Sequence, residues 1–510
     1  MEITILGHAG LHLQTRYGTV LCDPWTNPTF FASWFPFPDN SRLDWDHYGD
    51  VDLLYLSHLH RDHFDAKNLS EHVAKSATVL LPDYPTDDLQ NELQLLGFRS
   101  FRRVPKGKPI DHEGLRVLIE PLTAPNDGAV GDSALALSDG DACVLNQNDA
   151  KLTDFAQVCD FGPYDVHFLQ FSGANWWPWA YTLPDKAKRA FGAAKRSNGL
   201  SRAGRFIEAV GARHVVPFAG PPCFLDADLF QYNDLDNADW NTFPDQVVVL
   251  DHLRERGVHN GLLTVPGSTL NVTGGGCAVV HPAPDPEILR PFQDKARYLR
   301  EYAQRERPRI VAERADWPTE RMDVLFELKS WFEPLMASAD YIATGIGGPI
   351  LIRVDTESLV IDFASREVRR HNGEKCRYSF SIDRPILQKL IRDREVDWVN
   401  SLFLSMRFTA SRIGPFNEFV YAFFTCLSKE RMDYADRWYA DEEASGEDFQ
   451  IGQWRVPMRC PHRKADLSRF GELEGEILTC QMHGWQFNLA TGHCLTSAAH
   501  KINAVPVEPT

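Results

Sequence analysis

The stretch Leu54-Tyr55-Leu56-Ser57-His58-Leu59-His60-Arg61-Asp62-His63 constrains this chain more than any other. A short apolar run with the character of a buried strand ends in three histidines and an aspartate within six residues. A strand end feeding a loop can turn imidazoles and a carboxylate toward one point, which is the donor set a borderline transition metal requires. A solvated loop that happens to be rich in histidine is the plain alternative. The H-x-H-x-D-H order directly behind an apolar strand favours a ligand loop.

A second constellation lies far downstream. Cys460-Pro461-His462 is followed, after seventeen residues, by Cys480-Gln481-Met482-His483. Two thiolates and two imidazoles as C-x-H and C-x-x-H are the ligand set of a Rieske [2Fe–2S] centre, with Cys₂ on one iron and His₂ on the other. A Cys₂His₂ zinc site uses the same residue types. The short first half and the following Gly484-Trp485-Gln486-Phe487 favour the cluster, held by Cys460, His462, Cys480 and His483. The H-x-H-x-D-H loop is the metal signature of the metallo-β-lactamase fold. One chain thus pairs a metal loop of hydrolase type with a one-electron carrier.

At 510 residues the chain has room for about three domains. Its net charge of −17 argues against a nucleic-acid-binding surface. No apolar run approaches the roughly 20 residues of a membrane span. The sequence opens directly in a strand pattern, without a basic leader region, so no secretory signal is expected. Eight further cysteines without framework spacing read as thiols of a reducing compartment, hence a cytoplasmic protein.

Strands alternating with helices over residues 1–284 predict an α/β fold, an αββα sandwich. His8, in Gly7-His8-Ala9-Gly10, faces the metal loop or is a buried structural histidine. Asp23, at a strand exit before Pro24, orients a metal histidine or caps a turn. Asp149 ends another strand, where a carboxylate bridging two metals would stand. Residues 26–48, rich in aromatics and proline, suit a pocket wall, a lid or an interface. The basic run 186–205 could meet a phosphate, although a solvated helix face explains it as well. Residues 285–433 read as an α+β middle domain, with an apolar helix stripe of Met322, Leu325, Phe326, Leu328 and Phe332 taken as core. Residues 434–454 read as an acidic linker, and 455–510 as a small all-β Rieske domain.

These residues together bring a family into view. Cys22-Asp23-Pro24-Trp25, Tyr55 to His63, Leu145-Asn146 with Asp149, Phe171-Ser172-Gly173-Ala174, Pro217-Phe218-Ala219-Gly220 and Pro266 to Leu270 make the chain resemble CMP-N-acetylneuraminate hydroxylase from about residue 3 to 430. That family also joins a Rieske centre to a metallo-β-lactamase-like domain, but in the animal enzyme the Rieske part comes first. The usual fold has two further metal histidines. The stretches expected to carry them, 124–132 and 217–220, contain none. A site short of nitrogen and rich in carboxylate, with open positions, suits non-haem iron better than a closed zinc pair.

The resemblance implies a Rieske-coupled non-haem iron monooxygenase. One or two Fe would be held by His58, His60, Asp62, His63 and Asp149, with Asp62 and Asp149 as the catalytic carboxylates. It would hydroxylate or N-oxygenate a small polar substrate of the nucleotide-sugar, amino-sugar or nucleoside kind. Electrons would come from a ferredoxin or cytochrome b5-type donor with its reductase, and a homo-oligomer is compatible with this arrangement. A metal-dependent hydrolase with an accessory redox domain is the rival reading.

Overall fold

The computed structural model describes residues 1–123, 131–173, 175–440, 447–462, 464–497 and 500–507. It divides into two compact units. The first comprises Met1–Leu122, Val130–Asn175 and Arg189–Arg314, and the second Thr123–Ala129, Trp176–Lys188 and Ala315–Thr510.

The first unit is built on two sheets. Strands β1 (Glu2–Gly7), β2 (Gly10–Thr15), β3 (Gly18–Cys22), β4 (Leu53–Tyr55), β5 (Thr78–Pro82) and β6 (Ser100–Val104) form most of one. Strands β7 (Ile110–His112), β8 (Leu115–Pro121), β9 (Ser133–Ser138), β10 (Cys143–Asn148), β11 (Val166–Gln170) and β12 (His214–Phe218) form the other. β13 (Thr269–Thr273) and β14 (Gly276–Val280) return to the first, giving the orders β14-β13-β1-β2-β3-β4-β5-β6 and β12-β11-β10-β9-β8-β7.

Alternation along the strands decides which face each residue serves. Ile3, Ile5, Leu11, Leu13, Val20 and Tyr55 of the first sheet share one core with Val117, Ile119, Leu135, Leu137, Val144, Val166 and Phe168 of the second. The opposite face of the first sheet, through Leu21, Leu54, Leu56, Val79 and Leu81, packs on Phe64, Leu69, Leu89 and Leu93. These come from helices Ala66–Glu71 and Asp88–Leu95 and the residues flanking them. Both faces are apolar, so β4 and β5 read as unbroken hydrophobic runs. Helices Ala156–Phe161 and Asp185–Val210 follow strands of the second sheet, and Phe155 meets Phe206 at 5.6 Å. These layers form an αββα sandwich. Each fully buried Leu, Ile or Val is worth about 1.5–3 kcal/mol, so sheet-to-sheet packing dominates the stability of the frame that carries the site.

Composition placed a boundary after residue 284, but the first unit runs on to Arg314. The reason is the aromatic loop. Phe35 and Phe37 bury against Cys223 and Leu225 and against Leu299, Tyr302 and Ile310 of helix Lys295–Ala315. The loop is therefore core. The basic run 186–205 is partly committed as well: Arg196 bonds Asp234 at 2.8 Å and Asn237 at 2.6 Å, and Arg189 lies over Trp240.

The second unit contains strands β15 (Pro349–Val354), β16 (Glu357–Asp362), β17 (Glu367–Arg370), β18 (Tyr378–Ile382) and β19 (Phe408–Arg412) in the order β17-β16-β15-β18-β19. Helix Val324–Ser338 starts at Asp323, whose side chain accepts from the Phe326 amide. Its buried stripe is Val324, Leu328, Trp331, Phe332, Leu335 and Met336. Phe326, expected in that stripe, is 65% exposed because it lies two residues off the stripe's phase.

The acidic stretch expected as linker begins inside helix Lys429–Ala440, which buries Met432, Ala435 and Tyr439. Residues 441–446 lie outside the described residues. The C-terminal part is all-β apart from one helical turn, Leu467–Phe470. One sheet joins β20 (Asp448–Ile451), β21 (Trp454–Pro457) and β25 (Val505–Pro506), and another joins β22 (Gly471–Glu474), β23 (Ile477–Cys480) and β24 (Trp485–Asn488). Among the described residues, no helix is long and apolar enough to cross a membrane.

Candidate metal centres

In the first unit, strand ends and turns deliver the polar groups. His8 lies in the turn between β1 and β2, Asp23 follows β3, the His58–His63 loop follows β4, Asp132 precedes β9 and Asp149 follows β10. His8, Asp23 and Asn148 adopt φ of 49°, 39° and 42°. Left-handed backbone at non-glycine residues costs of order 1–3 kcal/mol each and clusters where geometry serves a site.

Two groups of donors result. His58, His60, Asp132 and Asp149 have ligand atoms within 4.8 Å of one another, as do His8, Asp62 and His63. His58 Nε2 is 2.7 Å from His60 Nδ1 and 3.3 Å from Asp132 Oδ1. His8 Nε2 is 3.2 Å from Asp62 Oδ2. Asp149 Oδ2 stands between the groups, 4.0 Å from His58 Nε2 and 3.6 Å from His63 Nε2.

Hydrogen bonds behind these residues aim them. Asp23, fully buried, can only accept as a carboxylate. It receives the Ser57 amide at 2.8 Å, the Ser57 hydroxyl at 2.7 Å and His63 Nδ1–H at 2.9 Å. With its proton given to Asp23, Ser57 Oγ accepts from His58 Nδ1–H at 2.8 Å. Both imidazoles therefore turn Nε2 into the site. The Ser57 carbonyl accepts from Tyr84 Oη at 2.5 Å and from Ser133 Oγ at 2.7 Å, which locks the start of the loop.

Burial, reinforced by His63 and His60, keeps the His58 imidazolium well below its ordinary range. Burial opposes charge on Asp62 and Asp149, but the neighbouring histidines together outweigh it, His63 with His8 at Asp62 and His63 with His58 and His60 at Asp149, and hold both carboxyls low. Burial likewise opposes a proton on His63, yet Asp149 and Asp23 hold that imidazolium up. His63 Nε2, Asp149 Oδ1 and His8 Nδ1 are buried without a hydrogen-bond partner. Such groups cost about 1–3 kcal/mol each when left unmet. Shared cations among several buried carboxylates and imidazoles would offset that cost, so the donor set fits metal.

The structure brings His58, His60, Asp62, His63 and Asp149 together, as the sequence reading expected, and places Asp23 behind His63. His8, read above as facing the metal loop or as a structural histidine, stands with the loop, and Asp132 is an addition. His8 joins Asp62 and His63, while its carbonyl accepts from the Ala219 amide at 2.9 Å. Asp132 joins His58 and His60 from the stretch 124–132, of which 124–130 lie outside the described residues. H-x-H-x-D-H spacing carried no signal for either. His8 was detectable only as a histidine in a turn, and Asp132 as a carboxylate directly ahead of an apolar strand.

The second constellation is local. Cys460 opens a tight loop in which its amide donates to Ala465 O at 2.9 Å and its carbonyl accepts from the Lys464 amide at 2.9 Å. Cys480 ends β23, and its carbonyl accepts from the Gly484 amide at 2.8 Å. Gly484, at φ 74°, has the left-handed conformation that turns the chain into β24. Both thiols are buried, and no cysteine forms a disulfide. The His462 and His483 rings are 5.1 Å apart, and His462 stacks on Trp485 at 3.6 Å and 5°. Two buried thiols beside two neighbouring imidazoles fit a [2Fe–2S] cluster by donor chemistry.

Comparison with known proteins bears on both halves. Residues 451–506 match the Rieske [2Fe-2S] domain, and residues 324–441 match the Rv3818-like, SCP2-like domain. The cytidine monophosphate-N-acetylneuraminic acid hydroxylase of Danio rerio is 31% identical over 86 residues, 17% of this chain and 14% of its own. The wider resemblance expected over residues 3 to 430 thus narrows to one partial match. Structures of isothiocyanate hydrolase from Delia radicum gut bacteria and of CmlA, a diiron beta-hydroxylase from Streptomyces venezuelae, align weakly. The first has TM-score 0.39 and 13% identity over 54% of this chain and 100% of its own; the second has 0.34 and 16% over 55% and 54%. A provisionally named Rieske 2Fe-2S iron-sulfur protein of Mycobacterium tuberculosis, Rv3818, is 47% identical over 99% of both chains. The chain therefore belongs to the family of Rieske 2Fe-2S iron–sulfur proteins that includes Rv3818.

Proposed function

We propose that this protein is a Rieske-coupled non-haem iron monooxygenase. The observation that carries the reading is the donor set itself. A buried cluster of four imidazoles and three carboxylates, without a thiolate, shares a chain with a Rieske domain. Oxygen and nitrogen donors in this ratio suit iron, and an electron carrier on the same chain supplies what a hydrolase would not use.

His58, His60 and Asp132 would hold one ion and His8, Asp62 and His63 a second, with Asp149 shared between them. Iron held there would supply oxygen activation, and a [2Fe–2S] cluster held by Cys460, His462, Cys480 and His483 would supply one-electron transfer. The chain orients its Nε2 donors through Ser57 and Asp23 and keeps Asp62 and Asp149 anionic beside His63. Burial of His58, His63 and Asp23 excludes bulk water from that side of the cluster. The electron donor in this reading is a ferredoxin or cytochrome b5-type protein with its reductase, in the cytoplasm. The substrate class is a small polar nucleotide sugar, amino sugar or nucleoside, supported by the 86-residue similarity to the sialic-acid hydroxylase.

Metal and acid-labile sulfide content of anaerobically prepared protein, with EPR of the dithionite-reduced form, tests this first. Iron beyond the two atoms of the cluster is expected, together with product formation that requires O₂ and reductant. Undiminished turnover without either would replace this reading with the metallo-hydrolase.

A further inference from the structure

A carboxylate from the SCP2-like domain stands beside one of the four candidate cluster ligands, His462. Glu418 opens helix Glu418–Thr425, which is capped by the Asn417 side chain accepting from the Phe419 amide. Asn417 is held in turn by Tyr378 Oη accepting from its amide at 2.6 Å, and by its Nδ2 donating to Gly345 O at 2.9 Å. The Glu418 side chain is 3% exposed. One oxygen lies 3.5 Å from Nε2 of His462, and the other pairs with Nε2 of His500. Trp485, stacked on His462, also meets His500 at 5.3 Å and Phe416 at 6.3 Å. A backbone bridge between Phe416 and Ser497 brings the two segments together.

A buried carboxylate seldom persists without a partner of opposite or hydrogen-bonding character. This one is shared by two imidazoles, one of them a candidate cluster ligand. We propose that Glu418 is a positioning residue for the Rieske centre. Its carboxylate, 3.5 Å from Nε2 of His462, lowers the reduction potential of the cluster, while His500 competes for its charge and moderates the effect. The physical reason is that reduction removes one positive charge from the centre. A nearby anion in a poorly screened site stabilises the oxidised form more than the reduced one. His500 draws on the same carboxylate, so the two residues act with opposite sign.

The inference rests on His462 as a cluster ligand, and the experiment separates the two ideas. Full-length protein is loaded with cluster, and Glu418→Gln and His500→Ala are compared with the parent by EPR and by redox titration at one pH. A Rieske signal in the parent that His462→Ala abolishes secures the ligand. With that signal retained, Glu418→Gln is expected to raise the potential. The reduced-to-oxidised ratio at fixed potential should rise at least tenfold, equivalent to 59 mV for one electron. His500→Ala is expected to lower it. Should Glu418→Gln fail to take up cluster, the His500→Ala shift alone decides. Unchanged potentials, or shifts of the same sign in both variants, would overturn the proposal.

Discussion

The two candidate centres are assembled in opposite ways. The candidate Rieske ligands come from two short loops, 460–462 and 480–483, each closed by its own backbone hydrogen bonds. The strand-end centre draws His8, the 58–63 loop, Asp132 and Asp149 from four separate places on two sheets. The first centre is encoded by spacing and the second by topology. A spaced pair of loops tolerates change in its surroundings, because the ligands are placed by a few local turns. A centre spread over two sheets depends on the sheets keeping register and on the residues that aim each donor.

The sharpest test of this contrast removes one ligand from each side. Cys480→Ser should abolish the Rieske EPR signal and the cluster's visible absorption, while metal bound outside the cluster persists. Asp149→Ala should do the reverse, since Asp149 Oδ2 faces both His58 and His63. Metal analysis should show loss of the non-cluster metal with the Rieske spectrum intact. If Asp149→Ala also removed the Rieske signal, the two centres would not be independent in assembly.

A gentler change tests the aiming network. Asp23→Asn keeps size but removes the charge that accepts from His63 and Ser57. Second-layer partners of metal histidines are worth roughly 10–100-fold in metal affinity. A loss of that size, read by competition with a chelator, is expected at the strand-end centre only. An unchanged affinity would reduce Asp23 to a turn residue.

The smallest effect concerns the frame. His167 on β11 is fully buried, with Nε2 bonded to Gln147 Oε1 at 2.8 Å, and burial lowers its pKa to about 3. Unfolded, it takes a proton near pH 6.5. The unfolded state therefore binds more protons below that pH, and stability falls as the pH drops from about 6.5 toward 3. The slope is at most about 1.4 kcal/mol per pH unit. His167→Gln should flatten the dependence of the denaturation midpoint on pH between 6.5 and 4. The Rieske domain's spectrum should be unaffected.

Several features were legible without coordinates, each for a local reason. The short apolar run Leu54–Leu56 marked a buried strand ahead of the histidine loop. The spacing of Cys460, His462, Cys480 and His483 pointed to one kind of cluster. Other features were misread because composition does not see partners. The aromatic loop resembled a lid until helix Lys295–Ala315 covered it. The acidic stretch resembled a linker although its first residues bury one helical face. Phe326 was assigned to a stripe whose phase depends on where Asp323 starts the helix.

The sequence by itself determined the two chemistries: imidazoles and a carboxylate behind a strand, and thiolates with imidazoles at fixed spacing. Those depend on residue type and on distances along the chain of only a few residues. Only the tertiary structure decided that His8 and Asp132 complete the strand-end set, that Asp23 aims it, and that Glu418 stands beside His462. Each is separated in sequence from its partners by tens of residues. Sheet register and helix docking bring them within a few ångströms, and no periodicity in the sequence records that proximity.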